Sequence, residues 1–467
     1  MKNPGISRVL LVRPAPSSEQ FGDESFMPLG IAYIAAALKK EGYEVQVNDL
    51  LIERMGDEAF LKNAFAFAPD VVGFTAVTPV VKSAFRLAGL IKKSMPETVT
   101  IIGGPHATAM PEECLENSFD FVVSGEGEAA IADLLENIKN PEKVNSILYK
   151  KNGQTVKTPD RGYIENLDSI KFPARELFPP LSKYRGQEAL GSLNPVGSIM
   201  TSRGCPYACK FCFKAVFGNK FRMRTAENVL EEWMLLVNEY KVREIAVVDD
   251  SFTTDVGRVH KICDSLIKAK VKTRWSCPNG IRVDLGGYEM LKKMADAGCR
   301  RVALGIESGS QKVLDSIGKK TTLKQIEETV KNCRRAGIKT MGFYMLGNLG
   351  ETEETMNETI NFAKKVRTDY AQFLIAIPYP GTPLYEEIKK NGKLYINDWD
   401  QYGQYEERAC FEYGGLNPEL LSKMSGRARR GYYLDPAYIF SQLLNPETYY
   451  FAPRRIKAAL RMITGAK

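Results

Sequence analysis

The sequence predicts an α/β protein: a doubly wound parallel sheet, then a partial (β/α) barrel, then a helical tail. Three observations predict it. Residues 7–150 alternate short apolar runs with helix-like stretches, the pattern of a parallel sheet with crossover helices. The alternation lapses over 151–195, which Pro173, Pro179, Pro180 and Pro195 punctuate, and resumes from 196 with six more strand candidates. At 467 residues the chain is also too long for one core, so two or three domains are expected. The expected division is a first domain at 1–150, a connecting segment at 151–195, a barrel at 196–400 and a helical, basic, aromatic-rich region at 401–467.

Taken in order, "SRVLLVRP" reads as the first strand and "PLGIAYIAAALKKEGY" as a helix ending at Gly42. "EVQVND", "DVVGFTA", "VTIIGG" and "DFVVSGEGE" follow as buried strands. Ligands of such sheets bind at the carboxyl ends of the strands. Those ends carry Asp49, then Thr75 in "FTAVTP", then Gly103, Gly104 and His106 in "GGPHAT", then Gly125 and Glu126 in "SGEGE". Glycines let a backbone approach a ligand closely, and small hydroxyl residues offer hydrogen bonds. In the second half the strands are "VGSIMTSRG", "EIAVVDDSF", "TRWSCPNGI", "RVALGIESG", "KTMGFYMLG" and "YAQFLIAIPYPGT". Barrel sites form at the C-terminal ends of strands. Directly after the first of these strands stand Cys205, Cys209 and Cys212.

Composition removes several function classes. Hydrophobic content of 44% and charged content of 26% are those of a globular protein. The N-terminal apolar run is cut short by Arg13 and Pro14, so neither a signal peptide nor a membrane span is expected there, and a cytoplasmic location is. Of nine cysteines, six are scattered singly (Cys114, Cys263, Cys277, Cys299, Cys333, Cys410), which is no disulfide framework. With only His106 and His260 in the chain, histidine-rich zinc sites and Ser-His-Asp triads are not expected. The formal charge is +8, and from Leu416 onward nine Lys/Arg stand against three Asp/Glu. Because most of the excess lies in the tail, no nucleic-acid groove is expected in the body.

Three cysteines within "CPYACKFC" leave a four-ligand metal one short. Structural zinc takes four protein ligands, so a distant cysteine or histidine would have to close the shell. Alternatively three thiolates hold a [4Fe–4S] cluster with one iron open, and an open position marks a catalytic metal. C-x3-C-x2-C with Phe211 before the last cysteine resembles the signature of the radical S-adenosylmethionine (SAM) superfamily. "VVDDSFTTD", "WSCPNGIRVD", "GCRRVALGIESGSQKVLDSIGKK", "FYMLGNLGET" and "PYPGTPLYEE" are similar to its later motifs, in order. They resemble most the branch with an N-terminal, Rossmann-like cobalamin-binding domain, over residues 5–400.

The resemblance implies that the open iron binds the amino and carboxylate groups of SAM, whose reductive cleavage yields a hydrogen-abstracting 5′-deoxyadenosyl radical. An external low-potential donor of flavodoxin or ferredoxin type would supply the electron. Phe211 is then expected against adenine, with a core aromatic as the alternative, and Asp249 and Asp250, at a strand end, near the SAM amino group, although one of them can instead cap the next helix. Glu307 ends an apolar strand, where burial without a partner is costly. A SAM hydroxyl or ammonium is its expected partner, with a structural ion pair as the alternative. Arg282 is expected at the SAM carboxylate, with a surface salt bridge as the alternative, and Gly347 and Gly350 at the nucleoside. Leu349 stands where the family usually has proline.

In the first half, "PLGIAYIAAAL", "VGFT", "GGPHAT", "EECLEN" and "GEGE" resemble the cobalamin domain of such proteins. The D-x-H-x-x-G cobalt-ligand motif is absent: after Asp49, position 51 is leucine and position 54 arginine. Either cobalamin binds without a protein histidine, which the resemblance favours, or the domain is a scaffold. His106 is expected to line the pocket without ligating cobalt. In the tail, Ile456, Leu460 and Ile463 share a helical face, with basic residues elsewhere and Tyr432, Tyr433, Tyr438, Phe440, Tyr449, Tyr450 and Phe451 upstream. Such a stripe packs on its own domain or rests on an anionic membrane. The reading as a whole is a cobalamin-dependent radical SAM enzyme that methylates an unactivated carbon of a small-molecule or lipid-like substrate. Rearrangement, cyclisation or carbon–carbon bond formation without methyl transfer is the alternative within enzymes, and a non-catalytic iron–sulfur or corrinoid module the alternative outside them.

Overall fold

Each apolar run of the first half becomes a strand. In a computed structural model that describes residues 5–16, 26–186, 192–395, 398–402 and 409–443, β1 is Arg8–Arg13, β2 Glu44–Asp49, β3 Val71–Thr75, β4 Val99–Gly103 and β5 Phe121–Val123. They form a parallel sheet in the order β2-β1-β3-β4-β5. Side chains of β1 alternate between two cores, Val9 and Leu11 facing one and Leu10 and Val12 the other. A sheet apolar on both faces needs helices on both. The helix Leu29–Lys40 covers one face through Leu29, Ala32 and Ala36, and the helix Val81–Ser94 covers the other through Val81, Leu87 and Ile91. The strand order reverses at β1, which places the ligand crevice beside the carboxyl ends of β1 and β3.

Residue 150 does not end this sheet. β6 (Ile147–Lys151) and β7 (Gln154–Lys157) continue it antiparallel. They are joined by Asn152 and Gly153, whose φ values of 53° and 78° suit a tight hairpin turn. The stretch beyond is no free linker. Tyr184 donates to Asp49 at 2.8 Å, and Arg175 pairs with Glu232 of the second half at 2.5 Å.

The second half builds six parallel strands in sequential order: β8 (Val196–Ile199), then, past a two-stranded ribbon of β9 (Ser202–Arg203) and β10 (Arg222–Met223), β11 (Glu244–Val247), β12 (Arg274–Ile281), β13 (Cys299–Glu307), β14 (Lys339–Leu346) and β15 (Tyr370–Ile375). This is the expected partial barrel. Trp233, Phe252 and Trp275 pack edge to face in its core.

Three tyrosines of the tail fold back on its own barrel, whereas Phe440 is exposed. Tyr433 donates to the carbonyl of Ala371 at 2.6 Å and Tyr438 to that of Asp369 at 3.1 Å, while Tyr432 meets Phe373 edge-on. These three tyrosines are therefore packing residues. Tyr449, Tyr450, Phe451 and the helical face at Ile456, Leu460 and Ile463 lie outside the described residues. Among the described residues no helix is long and apolar enough to cross a membrane.

Candidate functional site

The carboxyl ends of the first sheet face the loop between β9 and β10, and a cavity of about 590 Å³ lies between them. One wall is glycine-rich backbone: Gly73 and Thr75 from β3, Gly103 at the end of β4 and Gly104 after it, Gly125 and Gly127 after β5. The other wall holds Cys205, Cys212, Phe213, Lys214, Phe217 and Asp250. A Cβ at Gly104, where φ is +96°, would sit 2.9 Å from Thr75 Oγ1, and one at Gly127 would sit 2.8 Å from Ile34 Cδ1. Backbone is thus laid bare along a broad and largely apolar wall, which suits a flat, bulky ligand such as a corrin.

Of the residues expected on that wall, Thr75, Gly103, Gly104, Gly125 and Glu126 line it. Two do not. Asp49 is fully buried and receives hydrogen bonds from Tyr184 and Arg13, because a carboxylate at the end of a covered strand must find donors. His106 is also fully buried, with Nδ1 3.1 Å from Thr78 Oγ1, Nε2 3.4 Å from Glu113 and its ring edge-on to Trp399. The proline-initiated turn at Pro105 carries the imidazole behind the wall, so it is a packing residue. Glu126 lines the wall with its carboxylate already engaged by Arg203, Arg222 and the Ile164 amide.

The cysteine loop, residues 204–221, is held from several sides. The Cys205 amide donates to Gly218 O, the Lys210 amide to Ile317 O and the Leu384 amide to Lys210 O. Asp250 accepts from the Gly204 amide at 3.0 Å. Burial raises the Asp250 carboxyl above the usual range against the pull of that amide, with Asp249 adding to the rise. Cys205 and Cys212 face the cavity, whereas the charges of Lys319, Glu307 and Arg282 act on Cys209. Burial pushes the Cys209 thiol up and Lys319 opposes it.

Those charged residues bear on two expectations. Glu307 (φ +65°) pairs with Lys319 at 2.8 Å, so the chain itself supplies its cation. The pair fits because residue 305 is glycine, where a Cβ would lie 2.7 Å from the Lys319 ammonium. Arg282 is neither free for a carboxylate nor on the surface. It is buried, bidentate to Asp284 at 2.8 and 3.0 Å, and its guanidinium lies 3.5 Å from the Tyr207 ring centroid. Asp249 is buried too, accepting from Thr201 and from the Ser202 hydroxyl at 2.5 Å. Neither aspartate caps the next helix, because Asp255 does. Phe211, on the cysteine loop, is half-buried against the core. Gly347 (φ +93°) turns under Phe411, and Gly350 (φ +76°) under Ser316.

Lys214, Lys319, Asp284, Tyr207, Arg203 and Arg222 were invisible to sequence reasoning as site residues. Only the loop position of Lys214, two residues past Cys212, was a signal. Among the described residues no three His, Cys, Asp or Glu side chains converge on a single ion. A cubane cluster asks for something different, one thiolate at each of three separate irons. Three cysteines on one anchored loop, two of them open to a cavity, fit that demand.

Comparisons with known proteins agree. The Radical SAM superfamily profile matches residues 199–363 and the B12 binding domain profile residues 24–135. An uncharacterized methyltransferase of Pyrococcus horikoshii is 33% identical over 465 residues, 98% of this chain and 99% of that protein. An anaerobic magnesium-protoporphyrin IX monomethyl ester cyclase of Rubrivivax gelatinosus is 28% identical over 85% of this chain and 72% of that protein. Among solved structures, the radical SAM methyltransferase TsrM of Kitasatospora setae, with tryptophan and a SAM analogue bound, superposes with a TM-score of 0.74 at 20% identity, over 92% of this chain and 90% of that one. The cofactor set is a [4Fe–4S] cluster, SAM and cobalamin. With both profiles matched in order and a relative aligned end to end, the chain belongs to the radical SAM superfamily, as an enzyme of the branch that carries an N-terminal B12-binding domain.

Proposed function

We propose that the protein transfers a methyl group to an unactivated carbon of a small-molecule or lipid-like substrate. One observation carries this reading: Cys205 and Cys212 open onto the same cavity of about 590 Å³ as the glycine wall of the B12-binding half. When bound, the cluster with SAM supplies hydrogen-atom abstraction, and cobalamin supplies the methyl group. Both can act on one substrate carbon only if they face a common space, and this cavity is such a space.

The chain's own residues set the conditions. Leu11, Ile31, Ile34, Phe74, Ile101 and Val123 make much of the cavity apolar, which disfavours water beside reactive carbon. Lys214 and Asp250 bring charges of opposite sign to the cysteine side. They are our candidates for orienting a substrate that carries a polar group. Cys205, Cys209 and Cys212 would hold the cluster, with Phe211 and the Gly347 turn toward SAM. The electron comes from an external flavodoxin- or ferredoxin-type donor. Support for methyl transfer comes from the relatives, because the Pyrococcus protein and TsrM are both methyltransferases.

The test is anaerobic reconstitution with iron, sulfide and hydroxocobalamin, followed by SAM and a low-potential reductant. S-adenosylhomocysteine and 5′-deoxyadenosine should both form, and Cys205→Ala, Cys209→Ala and Cys212→Ala proteins should form no 5′-deoxyadenosine. If 5′-deoxyadenosine appears without any S-adenosylhomocysteine, methyl transfer is wrong and rearrangement or cyclisation takes its place.

A further inference from the structure

The loop 204–221 begins and ends on arginine. Arg203 of β9 and Arg222 of β10 are direct cross-strand partners, and like charges in that position repel. What lies between them comes from the other half of the molecule. Glu126 Oε1 accepts from Arg203 Nη1 at 2.8 Å and from Arg222 Nη1 at 3.0 Å, and Oε2 accepts from Arg222 Nη1 at 2.8 Å. Glu128 takes the other Arg203 nitrogen at 2.5 Å.

These four side chains are at most 10% exposed. Two carboxylates against two guanidiniums leave no net charge, yet burying them is costly, and apolar residues would hold the halves together at least as well. What the charges add is direction, because a guanidinium fixes its partner's distance and plane. The neck they fasten is tight. A Cβ at Gly204 would lie 2.3 Å from Lys220 O, and Arg222 Nη2 donates to Phe217 O at 2.8 Å. Tyr33 and Phe217 flank Arg203, and Tyr163 faces Arg222.

We propose that Glu126 is a positioning residue that closes the neck of the cysteine loop from the B12-binding half, so that cluster retention depends on that half. The inference rests on the three cysteines holding the cluster. It replaces the expectation that Glu126 touches cobalamin, since its carboxylate is fully engaged by Arg203, Arg222 and the Ile164 amide.

The test compares full-length wild type, Glu126→Gln and Arg222→Lys, each reconstituted anaerobically and checked for fold by circular dichroism. Iron release to a chelator is followed by the decay of cluster absorbance, with and without hydroxocobalamin, whose own binding is measured by its visible spectrum. Loss of a charge-assisted clamp should speed release roughly tenfold or more in Glu126→Gln. Arg222→Lys, which keeps the charge but not the fork, should move the same way by less. Hydroxocobalamin should slow release in wild type and not in Glu126→Gln. Wild-type release rates in Glu126→Gln overturn the proposal, and if hydroxocobalamin binding is then lost as well, Glu126 is a corrin contact. Should Glu126→Gln not fold, Arg222→Lys decides, and a wild-type rate there overturns it equally. A wild-type protein that takes up no four-iron cluster would overturn the three-cysteine reading and the clamp with it.

Discussion

Glu351 is the clearest case of a charge the fold discourages. It stands on the loop after β14, 3% exposed. Its Oε2 accepts the amides of Gly347 and Asn348 at 2.5 and 2.9 Å, and its Oε1 has no hydrogen-bond partner among the described residues. Burial lifts the carboxyl from 4.5 to about 7, against the pull of the two amides. At ~1.36 kcal/mol per pH unit, that difference corresponds to about 3 kcal/mol. The sign follows from proton linkage. Below pH 4.5 the acid is neutral in both folded and unfolded chains and costs nothing. Between 4.5 and 7 the unfolded chain ionises first, so stability falls as pH rises, and above 7 the whole penalty is present.

Glu351→Gln keeps an oxygen for the two amides and removes the ionisation. The measurement is urea unfolding at pH 5, 6, 7 and 8 for both proteins, followed by tryptophan fluorescence. Trp233 and Trp275, each 1% exposed in the barrel core, report that half. The variant should gain on wild type by about 2–3 kcal/mol between pH 5 and pH 8. A difference that stays flat across that range would refute the reasoning, because it would mean that Glu351 is charged throughout and its burial is compensated.

Two further outcomes test the frame around the site. Gly104→Ala forces a side chain onto φ +96° and ψ −173° with its Cβ 2.9 Å from Thr75 Oγ1, a conformation costing about 1–3 kcal/mol outside glycine. Hydroxocobalamin titration should show at least roughly tenfold weaker binding with cluster content unchanged, and wild-type affinity would mean that this wall does not meet the corrin. Glu232→Ala strips the shared carboxylate from Arg175 and Arg224, both at most 5% exposed, and an uncompensated buried charge costs about 3–5 kcal/mol. Differential scanning fluorimetry should therefore show a large drop in melting temperature, and an unchanged one would mean that the connecting segment is not fastened there.

Strand positions were legible because a covered parallel strand must be apolar on both faces, and Val9 to Val12 or Val71 to Phe74 can be little else. The β6–β7 hairpin carried a usable signal as well, Asn152-Gly153 between alternating residues. A boundary at 150 cut through it because a polar, solvent-facing strand such as "QTVK" has no apolar run to mark it. The cysteines were legible because their spacing is itself the ligand geometry. Nothing in the sequence placed Cys205 opposite Gly103, because that proximity depends on how the two halves dock.

The carboxylates explain why site roles are harder to read than elements. A strand-end acid must find donors, and the sequence cannot say whether those belong to a ligand or to the chain. For Asp49 the partner is Tyr184, 135 residues on, for Asp249 it is Thr201, 48 residues back, and for Glu307 it is Lys319, 12 residues on. At these three positions the chain itself provides a partner. Glu126, Glu128 and Arg203 line the cavity already paired with one another or with Arg222, whereas among the described residues Asp250 accepts from the Gly204 amide and Lys214 lies 3.4 Å from one carbonyl. Substrate orientation should therefore be sought in Lys214 and Asp250.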